Sequence, residues 1–273
     1  MENESAMPPF FPQPSVFSGS AIETFITTRY GGVSSSPYSF FNCFPFVPDP
    51  ASGQNRALLA GHLHAAEADF LIPHQVHGTR ILCVDECFMR LGEASRRAEL
   101  EGVDGLVTGL SGCFLCVTTA DCLPVFFYDP VHRAVGIAHS GWRGTVAHIS
   151  NLLLQAMQRR YHTDPREVRV AFGPCISGRH FEVGDEVYDA FSRAGFRMER
   201  LALHKMELTD EGECYFRWHI SLQEAVVSDL AGMGVPEEQI ERCPVCSYAD
   251  HRCYSVRRQG PQTGRNLSGI RLV

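Results

Sequence analysis

Four short β-rich runs crowd the middle of this sequence, at Gly105–Thr108, Phe114–Thr119, 125–128 and 134–138. They are separated only by brief turn signals such as Asp129-Pro130, which is the pattern of consecutive strands. A helical repeat follows at once: across residues 145–161, Val146, Ile149, Leu153, Ala156 and Met157 share one face, so a single amphipathic helix is expected there. The flanks repeat this mixture. Residues 24–28 read as a strand that ends at the turn Tyr30-Gly31-Gly32, and residues 54–67 as a helix with Leu58, Leu59, His62 and Leu63 at helical spacing. Residues 70–72 and 79–84 read as strands around His74-Gln75-Val76-His77-Gly78, 89–102 as a polar, exposed excursion, 168–172 as a strand, and 185–194 and 222–230 as helices. Residues 1–20, rich in Pro, Phe and Ser, read as an extended lead-in. With no internal repeat, no low-complexity linker and no shift in composition, residues 1–273 are expected to form one domain.

The balance of residue types narrows the function. Hydrophobic residues make up 44% of the 273, enough for a large core, and the formal net charge is -7. No dense Lys/Arg block occurs, so neither a nucleic acid nor an anionic membrane is the expected partner, while a local basic pocket for a small anion stays open. No run approaches the ~18 apolar residues of a membrane helix. The N-terminal stretch lacks a basic start followed by an apolar run, so no export signal is read there. Eleven cysteines, an odd number, fit reduced thiols better than a disulfide framework. The expected compartment is the cytoplasm.

Imidazole and thiolate side chains at strand ends are the residues to search for a catalytic metal, since zinc favours them and a catalytic site keeps one position open beyond three protein ligands. His139 follows the apolar run Val135-Gly136-Ile137-Ala138, and Cys122 follows 114–119 through Ala120-Asp121. His77 closes a strand-like run before Gly78, with His74 three residues earlier as a rival; spacing does not choose between them. Taken one at a time, each of these residues has an ordinary structural reading, as a hydrogen-bonded histidine or an inert buried thiol. Asp121, next to Cys122, is a candidate for proton transfer.

Ser140-Gly141-Trp142-Arg143-Gly144 joins the strand that carries His139 to the helix. Glycines allow close approach by a ligand, a helix start favours an anion, and an arginine fork suits phosphate. The alternative is a plain connection with Trp142 in the core and Arg143 in solvent. At the other end of the chain, Cys243-x-x-Cys246 with His251 and Cys253 has the spacing of a structural zinc module, and Cys113-x-x-Cys116 is a second such pair inside an apolar strand. A segment carrying Arg257, Arg258 and Arg265 follows, suited to lining an active site.

Several of these segments together resemble one family. They are Thr27-Thr28-Arg29-Tyr30-Gly31-Gly32-Val33-Ser34, Gln75-Val76-His77-Gly78, Asp104-Gly105-Leu106-Val107-Thr108, Thr119-Ala120-Asp121-Cys122-Leu123-Pro124-Val125, Ala138-His139-Ser140-Gly141-Trp142-Arg143-Gly144, Gly173-Pro174-Cys175-Ile176, Phe181-Glu182-Val183-Gly184, Tyr254-Ser255-Val256-Arg257-Arg258 and Thr263-Gly264-Arg265. In this order they resemble the YfiH-like laccase-domain family, also called multicopper polyphenol oxidoreductases, over nearly the whole chain. The resemblance implies an α+β fold, a mixed α/β sandwich similar to cytotoxic-necrotising-factor-type cysteine hydrolases. It implies a zinc site at His77, Cys122 and His139, which selects His77 over His74. It also implies purine nucleoside chemistry: phosphorolysis of adenosine, inosine and methylthioadenosine, with adenosine deamination. Arg143, Gly141 and Asn42 are the positions expected to bind phosphate or substrate. Copper-dependent phenol oxidation is the family's older assignment, and copper is an alternative metal. However, a blue multicopper oxidase needs many paired histidines, and His62-Leu63-His64 is the only His-x-His here. A metal-free hydrolase with Cys122 as nucleophile and a histidine base is the remaining alternative. Tyr30, the Asn42-Cys43-Phe44 segment and Val256 depart from the family's usual residues, and these departures bear on substrate preference.

Overall fold

A computed structural model describes residues 9–208 and 214–273. The first eight residues of the expected lead-in lie outside the described residues; the remainder runs as a bridge at Phe10 and one 3₁₀ turn, Ser15–Phe17. In chain order the strands are β1 Ile22–Ile26, β2 Phe70–Leu71, β3 Ile81–Val84, β4 Gly105–Thr108, β5 Phe114–Thr119, β6 Leu123–Asp129 and β7 Ala134–Ser140, then β8 Arg169–Phe172, β9 Glu182–Val183, β10 Ala202–Leu208, β11 Cys214–Ile220, β12 Ile240–Glu241 and β13 Asn266–Leu272. The helices are α1 Ser52–His62, α2 Glu86–Arg90, α3 Glu93–Glu99, α4 Trp142–Val146, α5 Ile149–Tyr161, α6 Asp185–Arg193, α7 Met198–Leu201, α8 Leu222–Gly232 and α9 Val256–Gln259. No helix is long and apolar enough to cross a membrane among the described residues.

The central runs divide between two sheets. A six-stranded sheet has the order β12-β8-β6-β7-β4-β3, and a four-stranded sheet the order β1-β13-β5-β2. The first is antiparallel across β8-β6-β7-β4 and parallel at its edges, β3 on β4 and β12 on β8. Side chains of a strand alternate between its faces, and the two faces here enter different cores. On β4 and β6, Leu106, Phe126 and Tyr128 pack toward the second sheet, where they meet Ile26, Leu115, Val117 and Ile270. Val107, Val125 and Phe127 pack the other way, onto Ile149, Leu153, Leu154 and Met157 of α5 and Ala225, Val226 and Leu230 of α8. The outer face of the four-stranded sheet sends Phe25, Phe114, Cys116 and Leu267 against Phe41 and Leu59. The result is an α-β-β-α sandwich with both sheets buried on both faces. This is why these strands read as unbroken apolar runs.

Two elements differ from the sequence reading. Residues 145–161 are not one helix: α4 and α5 are separated at His148, which takes a left-handed φ of 57°. Its Nδ1 lies 3.0 Å from the Asp229 carboxylate on α8, and its ring stacks on Phe196 at 5.0 Å. These partners are distant in sequence, and they override the local helical pattern. The excursion at 89–102 is largely exposed, as expected, and carries α3 and the end of α2. The hairpin β10-β11, with β9 beside it in a three-stranded sheet, has no counterpart among the elements expected from the sequence.

Sheet and helix meet closely where the sheet carries glycine. A Cβ on Gly136 of β7 would fall 2.8 Å from Leu153 Cδ2 and 3.2 Å from Val107 Cγ1. Leu153 fills the space that Gly136 leaves. Gly136→Ala is expected to cost about 1–3 kcal/mol by overpacking, and Leu153→Ala about 2–5 kcal/mol by leaving a cavity. In urea unfolding the double variant is expected to lose less than the sum of the two; strict additivity would show that the two positions do not share this contact.

Candidate metal centre

β7 carries His139 at its penultimate position, and β7 pairs with β6 in the register Leu123↔Ser140 and Pro124↔His139. Cys122 lies one residue before β6, so this register alone sets it beside the end of β7. Ahead of it, Asp121 takes φ 98°, which turns the chain sharply between β5 and β6. His77 comes from the loop between β2 and β3, also in a left-handed conformation, φ 60°. One donor atom from each of His77, Cys122 and His139 falls within 4.8 Å of the others. His139 is buried, Cys122 half-buried and His77 exposed, so the group is closed on the sheet side and open on the other. The two imidazoles meet edge to face, 4.8 Å between centroids.

Asp104, at the entry to β4 and fully buried, holds the group from behind. Its carboxylate accepts backbone N–H bonds from Val76, His77 and Gly78 at 3.1, 3.0 and 2.8 Å, and Nδ1–H of His139 donates to it at 2.8 Å. Burial raises the Asp104 pKa, but the bond and charge of His139 and these backbone donors hold it below the usual carboxylate range. With Nδ1 engaged, His139 turns Nε2 toward Cys122, the arrangement by which a carboxylate orients a ligating histidine. Gly141 closes the other side. A Cβ there would lie 2.9 Å from Cys122 Sγ and 3.0 Å from His77 Cδ2, so only glycine lets the start of α4 pass the group.

The thiols separate by environment. Burial drives Cys43 up to about 12 and Cys243 up to about 11. Burial also raises Cys122, but the charge of His139 and hydrogen bonds from His139 and His77 outweigh it and bring Cys122 down to about 6. Burial lowers His139 in turn, while the Cys122 thiolate and the Asp104 carboxylate raise it to about 9. Between these values the pair is a thiolate facing an imidazolium. A soft sulfur donor with two imidazole nitrogens, one of them carboxylate-oriented, is a donor set that fits zinc and also suits copper.

A cleft of about 400 Å³ opens over the group, lined by His77, Ala120, Asp121, Cys122, Ile176, Val256 and Arg257. Its far wall is held by Asp121, whose carboxylate accepts from Ser247 Oγ at 2.6 Å and from the Arg257 backbone N–H at 2.7 Å. Both carboxylate oxygens are engaged in fixing that wall rather than directed at the thiol. A larger cleft of about 510 Å³, with Arg56, Arg96 and Arg97 in its lining, includes none of the three donors.

Not every residue expected at the site lines this cleft. Arg143 is exposed and lies over the Trp142 ring at 4.3 Å. Asn42 is fully buried: its Nδ2 donates to Asp49 at 2.7 Å and its Oδ1 accepts from Arg265 N at 3.1 Å. α4 has only five residues. His74 turns away to Glu101, 2.6 Å from its carboxylate, and packs at a tilt against Phe46, 4.6 Å between centroids. Of the C-terminal arginines, Arg257 lines the cleft, Arg265 is half-buried within electrostatic reach of Cys122 and Asp121, and Arg258 donates to the carbonyls of Ser247, Tyr248 and Cys253. Cys243, Cys246, His251 and Cys253 form no metal-binding group among the described residues, because the Cys246 thiol is turned to Ser177 and His180 and Cys253 is buried in the inter-sheet core. Asp104 is the residue missed as part of the site: it heads one of the family-like segments, Asp104-Gly105-Leu106-Val107-Thr108, but carried no expected role.

The α-β-β-α sandwich with this cluster at the end of its buried sheet has the fold of the YfiH and YlmD structures, with which it superposes closely. The chain belongs to the multi-copper polyphenol oxidoreductase laccase family, whose sequence profile matches residues 23–273. It is 39% identical to a purine nucleoside phosphorylase of Bacteroides thetaiotaomicron, over 94% of this chain and 94% of the relative. It is 36% identical to adenosine deaminase RL5 of an unknown prokaryotic organism, over 91% and 93%. YlmD from Geobacillus stearothermophilus superposes with a TM-score of 0.82 at 30% identity, over 97% of this chain and 99% of that one. The Bacillus licheniformis protein YfiH gives 0.81 at 30%, over 92% and 93%.

Two outcomes are expected. Asp104→Asn removes the charge that orients His139 and sets an amide N–H against backbone donors, so zinc affinity should fall about 10–100-fold in chelator competition; unchanged affinity would show that the carboxylate does not orient the ligand. Metal binding also requires His139 to give up the proton it carries below about 9. At pH 7.5 uptake should therefore release about one proton per metal, seen as a buffer-dependent calorimetric enthalpy. Affinity should accordingly fall as pH drops below about 9, and more steeply below about 6, where Cys122 protonates as well.

Proposed function

We propose that His77, Cys122 and His139 bind one zinc ion and that the cleft above them processes purine nucleosides. The reaction is phosphorolysis of adenosine, inosine or methylthioadenosine to base and ribose 1-phosphate, with hydrolytic deamination of adenosine to inosine and ammonia as a second activity. The observation that carries this reading is the convergence of the three donor atoms within 4.8 Å at the floor of an open cleft, and the names of the similar relatives support it. When bound, zinc supplies Lewis acidity at the floor of the cleft.

The protein's own residues supply position and charge. Asp104 holds His139 in one tautomer. Arg257 lines the cleft, fixed at both ends: its backbone N–H donates to Asp121, and its Nη2 donates to the Glu182 carbonyl at 2.9 Å. We assign the phosphate-facing role to this guanidinium. Arg143 lies outside the cleft and Asn42 is committed to Asp49, while Gly141 serves by leaving room beside Cys122 and His77. Phosphorolysis passes through a sugar that becomes cationic as the base departs, so an anion held at that face both stabilises the charge and forms the new bond. Ile176 and Val256 give the cleft apolar surface for a purine.

A metal-free thiol hydrolase is the second reading, favoured by the lowered Cys122 and raised His139, which are the signature of an activated cysteine nucleophile. Metal separates the two. Protein of measured zinc and copper content is expected to release base from inosine only when phosphate is present, to lose turnover in strong chelator and to regain it with zinc. Arg257→Ala is expected to raise the KM for phosphate about 10-fold or more, as for loss of a charge-assisted contact. No base release and no deamination from any purine nucleoside would overturn the nucleoside assignment, and full activity in chelator would overturn the zinc assignment.

A further inference from the structure

Outside the metal group, next in sequence to the cleft-wall residues Ile176 and Ser247, a second sulfur and imidazole meet. Cys246 Sγ lies 3.3 Å from His180 Nδ1, and the backbone N–H of Ser177 donates to the same sulfur at 3.3 Å. Ser177 Oγ is also 3.1 Å from His180 Nδ1. The His180 ring stacks on Tyr248 at 4.9 Å, and its backbone N–H is tied to the Ser177 carbonyl at 2.9 Å. The geometry sets a thiol within reach of an imidazole base whose ring is held by stacking on Tyr248 and by its backbone bond to Ser177, with a backbone N–H donor at the sulfur. The thiol is half-buried rather than sealed, as reactive cysteines are. Core thiols such as Cys116 and Cys253 have no imidazole beside them among the described residues, and burial raises their pKa.

We infer that Cys246 and His180 form a metal-free thiol–imidazole pair that reacts at sulfur with soft electrophiles and with peroxides. His180 Nδ1 takes the thiol proton. With iodoacetamide, the sulfur forms a bond to the methylene carbon as the carbon–iodine bond breaks and iodide leaves. With hydrogen peroxide, the sulfur attacks one oxygen and the O–O bond breaks. Cys246 is oxidised by two electrons to the sulfenic acid, and the departing hydroxide takes the proton from His180 as water. The adjacent residue, Ser247, carries the hydroxyl that holds Asp121, so an adduct at Cys246 sits one residue from the cleft wall.

The test is competitive labelling of the zinc-loaded, full-length protein with limiting iodoacetamide, read by peptide mass spectrometry at every cysteine. Cys246 is expected to label about 5-fold faster or more than the exposed Cys87 and Cys214, although it is less exposed than either. His180→Gln is expected to bring Cys246 to or below the rate of Cys87, with the Cys87 and Cys214 rates unchanged as the internal check on folding. Trapping of sulfenic acid by dimedone after peroxide, on the unmodified protein, is expected to mark Cys246 first and does not depend on the variant. Labelling of Cys246 no faster than Cys87, or a rate indifferent to His180→Gln in a folded protein, would overturn the assignment.

Discussion

The buried Asp104 carboxylate is the contact on which the site depends. A carboxylate taken out of water must have its oxygens satisfied. This one is satisfied by three consecutive backbone N–H groups of the His77 loop and by the ring of His139. It therefore joins three segments that lie far apart in the chain and fixes the angle at which two imidazoles meet. A loop bearing a left-handed histidine would not hold its shape on local preference alone, because that conformation costs energy for any residue with a side chain. The carboxylate opposes that cost with three charge-assisted bonds. Cys122 reaches the same point by another route, the β6-β7 register, so its position depends on sheet pairing and not on Asp104.

The central strands were legible because both faces of each are buried, which leaves apolar runs that any reading of the sequence finds. Which strands share a sheet was not legible: β5 sits between β4 and β6 in sequence but belongs to the opposite layer, and nothing local marks the crossing. The break at His148 was hidden for a related reason, since the Asp229 carboxylate that holds the ring is 81 residues away. The metal group was partly legible. Residue type and strand-end placement found His139 and Cys122, whereas the choice of His77 over His74 rested on motif resemblance, and in the structure it follows from one backbone conformation. The surroundings were least legible. Arg143 looked suited to an anion because it follows a glycine beside His139, yet its side chain lies on Trp142, and the cleft takes its arginine from Arg257, more than a hundred residues later.

Eleven thiols in one chain illustrate how little residue identity says without surroundings. Cys116 and Cys253 are enclosed by apolar side chains and behave as small hydrophobes. Cys122 faces two histidines and is held as a thiolate. The same atom type is inert or reactive according to whether an imidazole or a phenyl ring lies beside it.

Asp121 joins parts of the molecule that are built separately. The donor group comes from residues 77–139, set by the sheets, while the opposite wall of the cleft comes from residues 176–257 and is attached through Ser247 and Arg257 to one carboxylate. The two walls answer to different demands. Cys122 and His139 are placed by sheet register and His77 by the Asp104 carboxylate, whereas Ile176, Val256 and the Arg257 side chain belong to the opposite wall. The molecule is in effect an anvil with a separate face: the residues that would hold a metal and those that shape what can reach it come from different stretches of the chain and meet at one carboxylate.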